Sequence, residues 1–268
     1  MIVTYLFKQT ESFDPEGKQA LNSEKRNDDH YYKFLELFLK SLAITNPDRE
    51  VFLKLYNFTE EECVYFESLN KNLSIENNKI DFSNSKIEDF LKKHHECYLN
   101  LIKEKLIDNE KVIYLDVDCL VRGGLEEIYE ILNQNDVTIQ THKNDPYGDI
   151  NCQHDRSKIC AGVMGFKGEK AIKFIREWQD MYKNMKIDVN TNDGHSSPSW
   201  WTCQHALYLT YKKTTEMKTI SFFDLPQKLH DSQMTERGVI WHGNMWDKGE
   251  NLRTFERELD NIINEKRK

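Results

Sequence analysis

The chain lacks what would tie it to a membrane span, a nucleic acid or a disulfide scaffold. No apolar run in its 268 residues approaches the ~18 needed to cross a bilayer. The first residues, Met1 to Thr10, have no basic leading segment and are too short and strand-like for a secretory signal. Basic charge is in deficit: 37 Lys and Arg face 45 Asp and Glu, and the net charge of −8 argues against a nucleic-acid partner, whose backbone demands a basic face. The six cysteines form no C-x-x-C pair, so their spacing indicates neither a zinc site nor a disulfide framework. Reduced thiols and a cytoplasmic setting follow as the expectation, and without a secretory signal the patterns Asn57-Phe58-Thr59 and Asn72-Leu73-Ser74 read as chance glycosylation matches. There is no repeat, no low-complexity tract and no Pro/Gly/Ser linker, so residues 1–268 read as one domain.

What is present is an alternation of strand-like and helical segments. Ile2–Phe7, Glu50–Tyr56, Val112–Leu115, Val137–Thr141, Ile159–Phe166, Ile220–Leu225 and Gly238–Trp241 read as strands. Asp28–Ile44, Glu60–Leu69 behind a Thr59 cap, Ile87–Leu106, Leu125–Leu132, Glu169–Tyr182, Thr202–Tyr211 and a charged, peripheral Leu252–Lys268 read as helices. Polar stretches at Lys8–Asn27, His142–Lys158 and Ile187–Ser199 read as loops over a ligand site. The pattern implies a mainly parallel sheet covered by helices on both faces, with ligands at the carboxyl ends of its strands.

The most informative segment is Lys111–Val121. An apolar strand runs into Asp116 and Asp118, one residue apart, and then returns to apolar residues. Alternate residues of a strand point the same way, so both carboxylates can converge on one point. Two like charges this close repel and resist burial, and a divalent cation resolves the conflict. Mg²⁺ and Mn²⁺ prefer carboxylate oxygens and keep room for substrate phosphates. The bland reading of an isolated D-x-D is a strand that ends in an Asp-containing turn.

Three further segments add weight: Cys160-Ala161-Gly162-Val163-Met164, Cys203-Gln204 near a helix start, and His242-Gly243 at a strand end with Lys248 shortly after. Together with Tyr114-Leu115-Asp116-Val117-Asp118 they resemble, in order and spacing, the motifs of the GT-A glycosyltransferases, most closely the family 8-like group. The resemblance implies a GT-A fold, the Rossmann-like fold of nucleotide-diphospho-sugar transferases. It implies transfer of a sugar from a nucleotide-sugar donor, a UDP-sugar, with Mn²⁺ or Mg²⁺ as cofactor and retention of anomeric configuration. The acceptor would be a glycan, a lipid-linked sugar reached peripherally at a membrane, or a protein side chain. Asp116, Asp118 and His242 would ligate the metal, and Asp116 would also meet the donor. Lys8, Gln9 and Thr10 would line the nucleotide pocket, and Gly243 and Lys248 would face the diphosphate. Asp116, Asp118 and Gln204 would form the catalytic set. Two positions depart from the pattern: Cys203 stands where an acid precedes the glutamine, and Cys160 where a polar residue precedes Ala-Gly, both normally holding the transferred sugar.

Competing readings remain open on the residues alone. A sugar-phosphate nucleotidyltransferase would share the fold and acidic site, but needs a glycine-rich basic loop after its first strand, where this chain has only Gly17. A D-x-D phosphatase-like hydrolase would use Asp116 as a nucleophile. A binding module would not need His242. Asp145, Asp149, Asp193 and His195 lie on the polar loops, where one can serve as a general base if configuration inverts. Trp200, Trp201 and Trp246 suit packing or sugar stacking. His94, His95 and His205 read as structural or solvated.

Overall fold

A computed structural model describes residues 1–8, 28–81, 87–141, 159–185, 198–232, 234, 238–243 and 248–267. A seven-stranded sheet has the order β3-β2-β1-β4-β7-β6-β8. Its strands are β1 (Ile2–Phe7), β2 (Val51–Tyr56), β3 (Leu73–Asn78), β4 (Lys111–Leu115), β6 (Val137–Thr141), β7 (Ile159–Lys167) and β8 (Phe222–Asp224). β7 runs antiparallel to β4 and β6, and the remaining pairings are parallel. A smaller sheet of order β5-β10-β9 joins Cys119–Val121 (β5), Ile240–His242 (β10) and His230–Asp231 (β9).

The central strands β1 and β4 read as near-continuous apolar runs because both faces of the sheet are covered there. In β4, Ile113 and Leu115 pack on one side, with Leu35, Phe38 and Leu42 of α1 (Asp28–Thr45), Phe66 of α2 (Glu60–Leu69) and Ile128 and Leu132 of α4 (Glu126–Gln134). Val112 and Tyr114 pack on the other, with Leu99 and Ile102 of α3 (Ile87–Asp108), Phe174 and Trp178 of α5 (Gly168–Asn184) and Leu207 of α6 (Pro198–Glu216). The Thr59 cap is realised as a reciprocal capping box, with Thr59 accepting from the Glu62 N–H and the Glu62 carboxylate accepting from the Thr59 N–H.

Two departures from the sequence pattern have local causes. β3 is a partly exposed edge strand, LSIENN, in which only Leu73 and Ile75 pack against the core, an alternation too short to stand out from its polar neighbours. α6 begins at Pro198, so Pro198 and Ser199 belong to a helix rather than to a loop; proline fits a first turn, where its missing N–H has no partner to lose. Loop residues 142–158 and 187–197 lie outside the described residues.

α7 (Lys248–Lys266) turns Leu252, Phe255, Leu259 and Ile262 inward, at three- and four-residue spacing, and Arg253, Glu256, Arg257 and Asp260 to solvent. Leu252, Phe255 and Leu259 pack on Phe34 and Leu37 of α1 and on Leu120 of β5. Arg122 adds an ion pair to Glu258 at 2.5 Å, with both side chains largely sheltered. α7 therefore buttresses the strand that follows the D-x-D segment. No helix among the described residues is long and apolar enough to cross a membrane.

Phe255 is fully buried, so Phe255→Ala should cost about 3–4 kcal/mol of stability, read as a lowered urea midpoint. An unchanged midpoint would show that α7 does not support the fold.

Candidate metal centre

The chain order of the large sheet reverses between β1 and β4, which lie side by side and parallel in register Val3↔Tyr114. A crevice opens at such a switch point, outside the carboxyl ends of the strands. Asp116 follows β4 there and Lys8 follows β1.

The two aspartates do not sit on a continuing strand. β4 ends at Leu115, and residues 116–119 form a turn closed by the Cys119 N–H donating to the Asp116 carbonyl at 3.1 Å. Strand alternation is thus the wrong account of how these side chains approach each other. The Asp116 N–H is spent on the Gly162 carbonyl of β7 at 2.8 Å, which carries the ladder one residue past β4 before the chain turns into the small sheet. In that sheet His242 pairs directly with Cys119 across β10 and β5. The Gly243 N–H then donates to the Asp118 carbonyl at 2.7 Å. Antiparallel pairing therefore delivers a histidine from a distant part of the sequence to the aspartates.

His242 Nε2 lies 3.4 Å from an Asp118 oxygen and 3.5 Å from an Asp116 oxygen. One donor atom from each of the three residues falls within 4.8 Å of the other two. Two carboxylate oxygens and an imidazole nitrogen suit Mn²⁺ or Mg²⁺ chemically. The ring of His242 lies on Gly162, where an added Cβ would stand 2.0 Å from its Cε1. The glycine of the Ala-Gly-Val strand is thus the floor of the imidazole.

Asp116 is held from beneath by neutral, buried aromatics. The Tyr114 hydroxyl donates to its carboxylate. Tyr5 bonds to Tyr114 and lies 3.0 Å from His94 Nδ1. Burial pushes the phenols of Tyr5, Tyr98 and Tyr114 well up and holds His94 and His95 down at about 3, so this layer is uncharged at neutral pH. Cys203 joins the layer, its Sγ 2.9 Å from His95 Nδ1, and burial raises its thiol too. No short motif marks Tyr5, His94 or His95, and only the packing of α3 on β1 and β4 brings them under Asp116.

The other anticipated residues fall as follows. Lys8 makes an ion pair with Glu62 at 2.6 Å. Gln204 is half-buried in the second turn of α6. Gly243 has its N–H committed to Asp118. Gln9, Thr10, Asp145, Asp149, Asp193, His195, Trp246 and the side chains of Trp200, Trp201 and Lys248 lie outside the described residues.

Burial opposes a charged His242. Nearby Cys119 and Cys160, together with hydrogen bonds to Asp116 and Asp118, outweigh it and raise the ring's pKa well above its ordinary value. The carboxylates are the effective cause, because burial pushes the Cys119 thiol well up and leaves it uncharged. Without metal, an imidazolium thus bridges the two acids. The stability this contributes is complete below the unfolded pKa of about 6.5 and is lost as pH rises through the raised folded value.

A comparison with curated proteins finds no match. Among solved structures, the glycosyltransferase GlyE of Streptococcus pneumoniae TIGR4 superposes with TM-score 0.56 at 14% identity, over 98% of this chain and 63% of that one. The galactosyltransferase LgtC, in complex with donor and acceptor sugar analogues, superposes with TM-score 0.53 at 15% identity, over 97% of this chain and 95% of that one. The bifunctional glycosyltransferase WbbM gives 0.54 at 12% identity, over 97% of this chain and 51% of that one. The chain thus spans less than two thirds of GlyE, and the likeness shows the GT-A fold. The model of the family described as "Glycosyl transferase family 8" matches residues 25–184.

Two outcomes follow from the geometry. Gly162→Ala should displace the imidazole and weaken Mn²⁺ binding by about tenfold or more, read by calorimetric titration; unchanged affinity would remove His242 from the metal's shell. Because metal and proton compete for the same Nε2 lone pair, Mn²⁺ affinity should rise about tenfold per pH unit while the ring is protonated. A flat pH profile would contradict the imidazolium bridge.

Proposed function

The chain belongs to glycosyl transferase family 8, and on that premise we propose that it moves a sugar from a UDP-sugar to a hydroxyl acceptor, with Asp116, Asp118 and His242 holding Mn²⁺ or Mg²⁺. The observation that carries this reading is the meeting of those three side chains at the carboxyl end of β4, beside β1, within 4.8 Å of one another. The enzyme class is a glycosyltransferase. The donor, the metal, retention of anomeric configuration and a glycan, lipid-linked or protein acceptor are parts of the proposal. So are its extension over 1–268 as one domain and a cytoplasmic, membrane-peripheral setting.

The chain's residues divide the work. Asp116 and Asp118 offer hard oxygen donors, and His242 offers Nε2. Tyr114 fixes the Asp116 carboxylate by donating to it, and the Gly243 N–H fixes the backbone of Asp118. When bound, a divalent cation supplies positive charge against a diphosphate leaving group. Lys8, Gln9 and Thr10 are assigned to the nucleotide because they follow β1, the strand beside β4. Gly243 and Lys248 are assigned to the diphosphate, and Gln204 to the transferred sugar. Cys203, hydrogen-bonded within the aromatic layer, replaces a charged acid near that sugar, which favours a donor that needs no carboxylate partner at that point.

The test is release of UDP from a panel of UDP-sugars with and without Mn²⁺. One sugar should stand out, and Asp118→Asn should lower its turnover by at least about a hundredfold, since several kcal/mol of charge stabilisation depends on the metal. Wild-type turnover by Asp118→Asn in Mn²⁺ would sink the assignment.

A further inference from the structure

His242 presents two nitrogens to two different sets of ligands. Its Nε2 faces Asp116 and Asp118. Its Nδ1 lies 3.5 Å from Cys160 Sγ, and the same sulfur lies 3.9 Å from His230 Nε2. The donor atoms of Cys160, His230 and His242 all fall within 4.8 Å of one another. Each comes from a different strand: Cys160 from β7 in the large sheet, His230 from β9 and His242 from β10 in the small one. The cluster thus sits in the seam between the sheets. Cys160 and His230 are buried, at 7% and 0% exposure. The backbone of His230 is fixed by Gln140, whose amide donates to its carbonyl at 2.7 Å, and by pairing with Ile240.

We propose that Cys160, His230 and His242 form a second, soft-metal site that binds Zn²⁺ in competition with the divalent cation at Asp116 and Asp118. The donor set, one thiolate and two imidazoles, is a zinc set and a poor one for Mg²⁺ or Mn²⁺. Zn–S and Zn–N bonds of about 2.3 and 2.0–2.1 Å at tetrahedral angles place sulfur and nitrogen about 3.5 Å apart. The two sulfur–nitrogen distances here are 3.5 and 3.9 Å. Binding replaces the Cys160 thiol proton and the Nδ1 proton of the His242 imidazolium, both of which leave to solvent, and a water takes the fourth position.

The competition follows from the shared ring. A neutral imidazole has one lone pair, so coordination through Nδ1 leaves hydrogen on Nε2. That hydrogen points at Asp116 and Asp118, the carboxylate–histidine–zinc arrangement in which a ligating histidine donates its second N–H to an acid. The hard cation loses its nitrogen donor and meets two acids already engaged. Zinc binding itself stands on the Cys160 cluster; the competition rests on the metal reading proposed above.

The test uses the full chain with Co²⁺ as a spectroscopic probe. One equivalent should produce a thiolate-to-cobalt charge-transfer band and intense tetrahedral visible bands, and one equivalent of Zn²⁺ should bleach both. Cys160→Ser should abolish the charge-transfer band and weaken Zn²⁺ binding by at least about a hundredfold, beyond the loss typical of an outer-shell partner. Cys119→Ser should retain the band, because the Cys119 thiol is directed at the Gly162 carbonyl, 3.7 Å away. Asp118→Asn should also retain it while losing Mn²⁺ binding, which separates the two sites. Zinc loading of the wild type should weaken its Mn²⁺ affinity by about tenfold or more. Absence of the band in the wild type overturns the site without recourse to any variant, as does its persistence in Cys160→Ser. Undiminished Mn²⁺ affinity in the zinc-loaded protein overturns the competition. A thiolate band in a protein that binds no Mn²⁺ in either form upholds the zinc site and brings down the Asp116/Asp118 metal reading alone.

Discussion

Two carboxylates at the end of a strand buried on both faces repel each other and resist leaving water, and much of the surrounding architecture is arranged to hold them there. The turn at residues 116–119 takes both acids off the strand and toward the crevice. The small sheet then brings His242 between them, where in the absence of metal its proton offsets the repulsion. α7 holds β5 from behind through Phe255 and the Arg122–Glu258 pair, so a helix remote from the crevice supports its geometry. Tyr114 supplies Asp116 with a donor that burial keeps protonated.

The layer beneath Asp116 shows how a low-dielectric interior is made to tolerate an anion. Tyr5, Tyr98, Tyr114, His94, His95 and Cys203 are polar, yet burial keeps all of them uncharged. Tyr114 orients the carboxylate by donating to it, and the others pack around that pair without adding a competing charge. Cys203 belongs to that layer, in hydrogen-bonding reach of His95. A buried, uncharged thiol at this position keeps the layer free of negative charge.

Much of this fold was legible because its elements carry strong periodic signals. β1, α2 and β6 have the bounds their patterns imply: β1 is a mostly apolar run, α2 opens on a capping box, and β6 alternates apolar Val137 and Ile139 with polar residues. β3 left little trace because only Leu73 and Ile75 of this edge strand pack on the core and the rest of its sequence is polar. The local form of the aspartate pair is not legible, because a D-x-D looks alike on a strand and in a turn; only the Gly162 and Cys119 backbone bonds distinguish them. Asp116, Asp118 and His242 were visible as a motif order, whereas Tyr5 and His94 have no motif. His230 lies in a two-residue strand with no pattern of its own. Its proximity to Cys160 arises from cross-sheet packing, which cysteine spacing cannot express.

The central claim is that Asp116, Asp118 and His242 share one cation. The direct measurement is an anomalous difference map from crystals of the full chain grown with MnCl₂ and UDP. The account predicts a peak bonded by the two carboxylates and by Nε2 of His242, with diphosphate oxygens completing the shell. A manganese peak bound elsewhere, or one at the aspartates with His242 turned away, would contradict it.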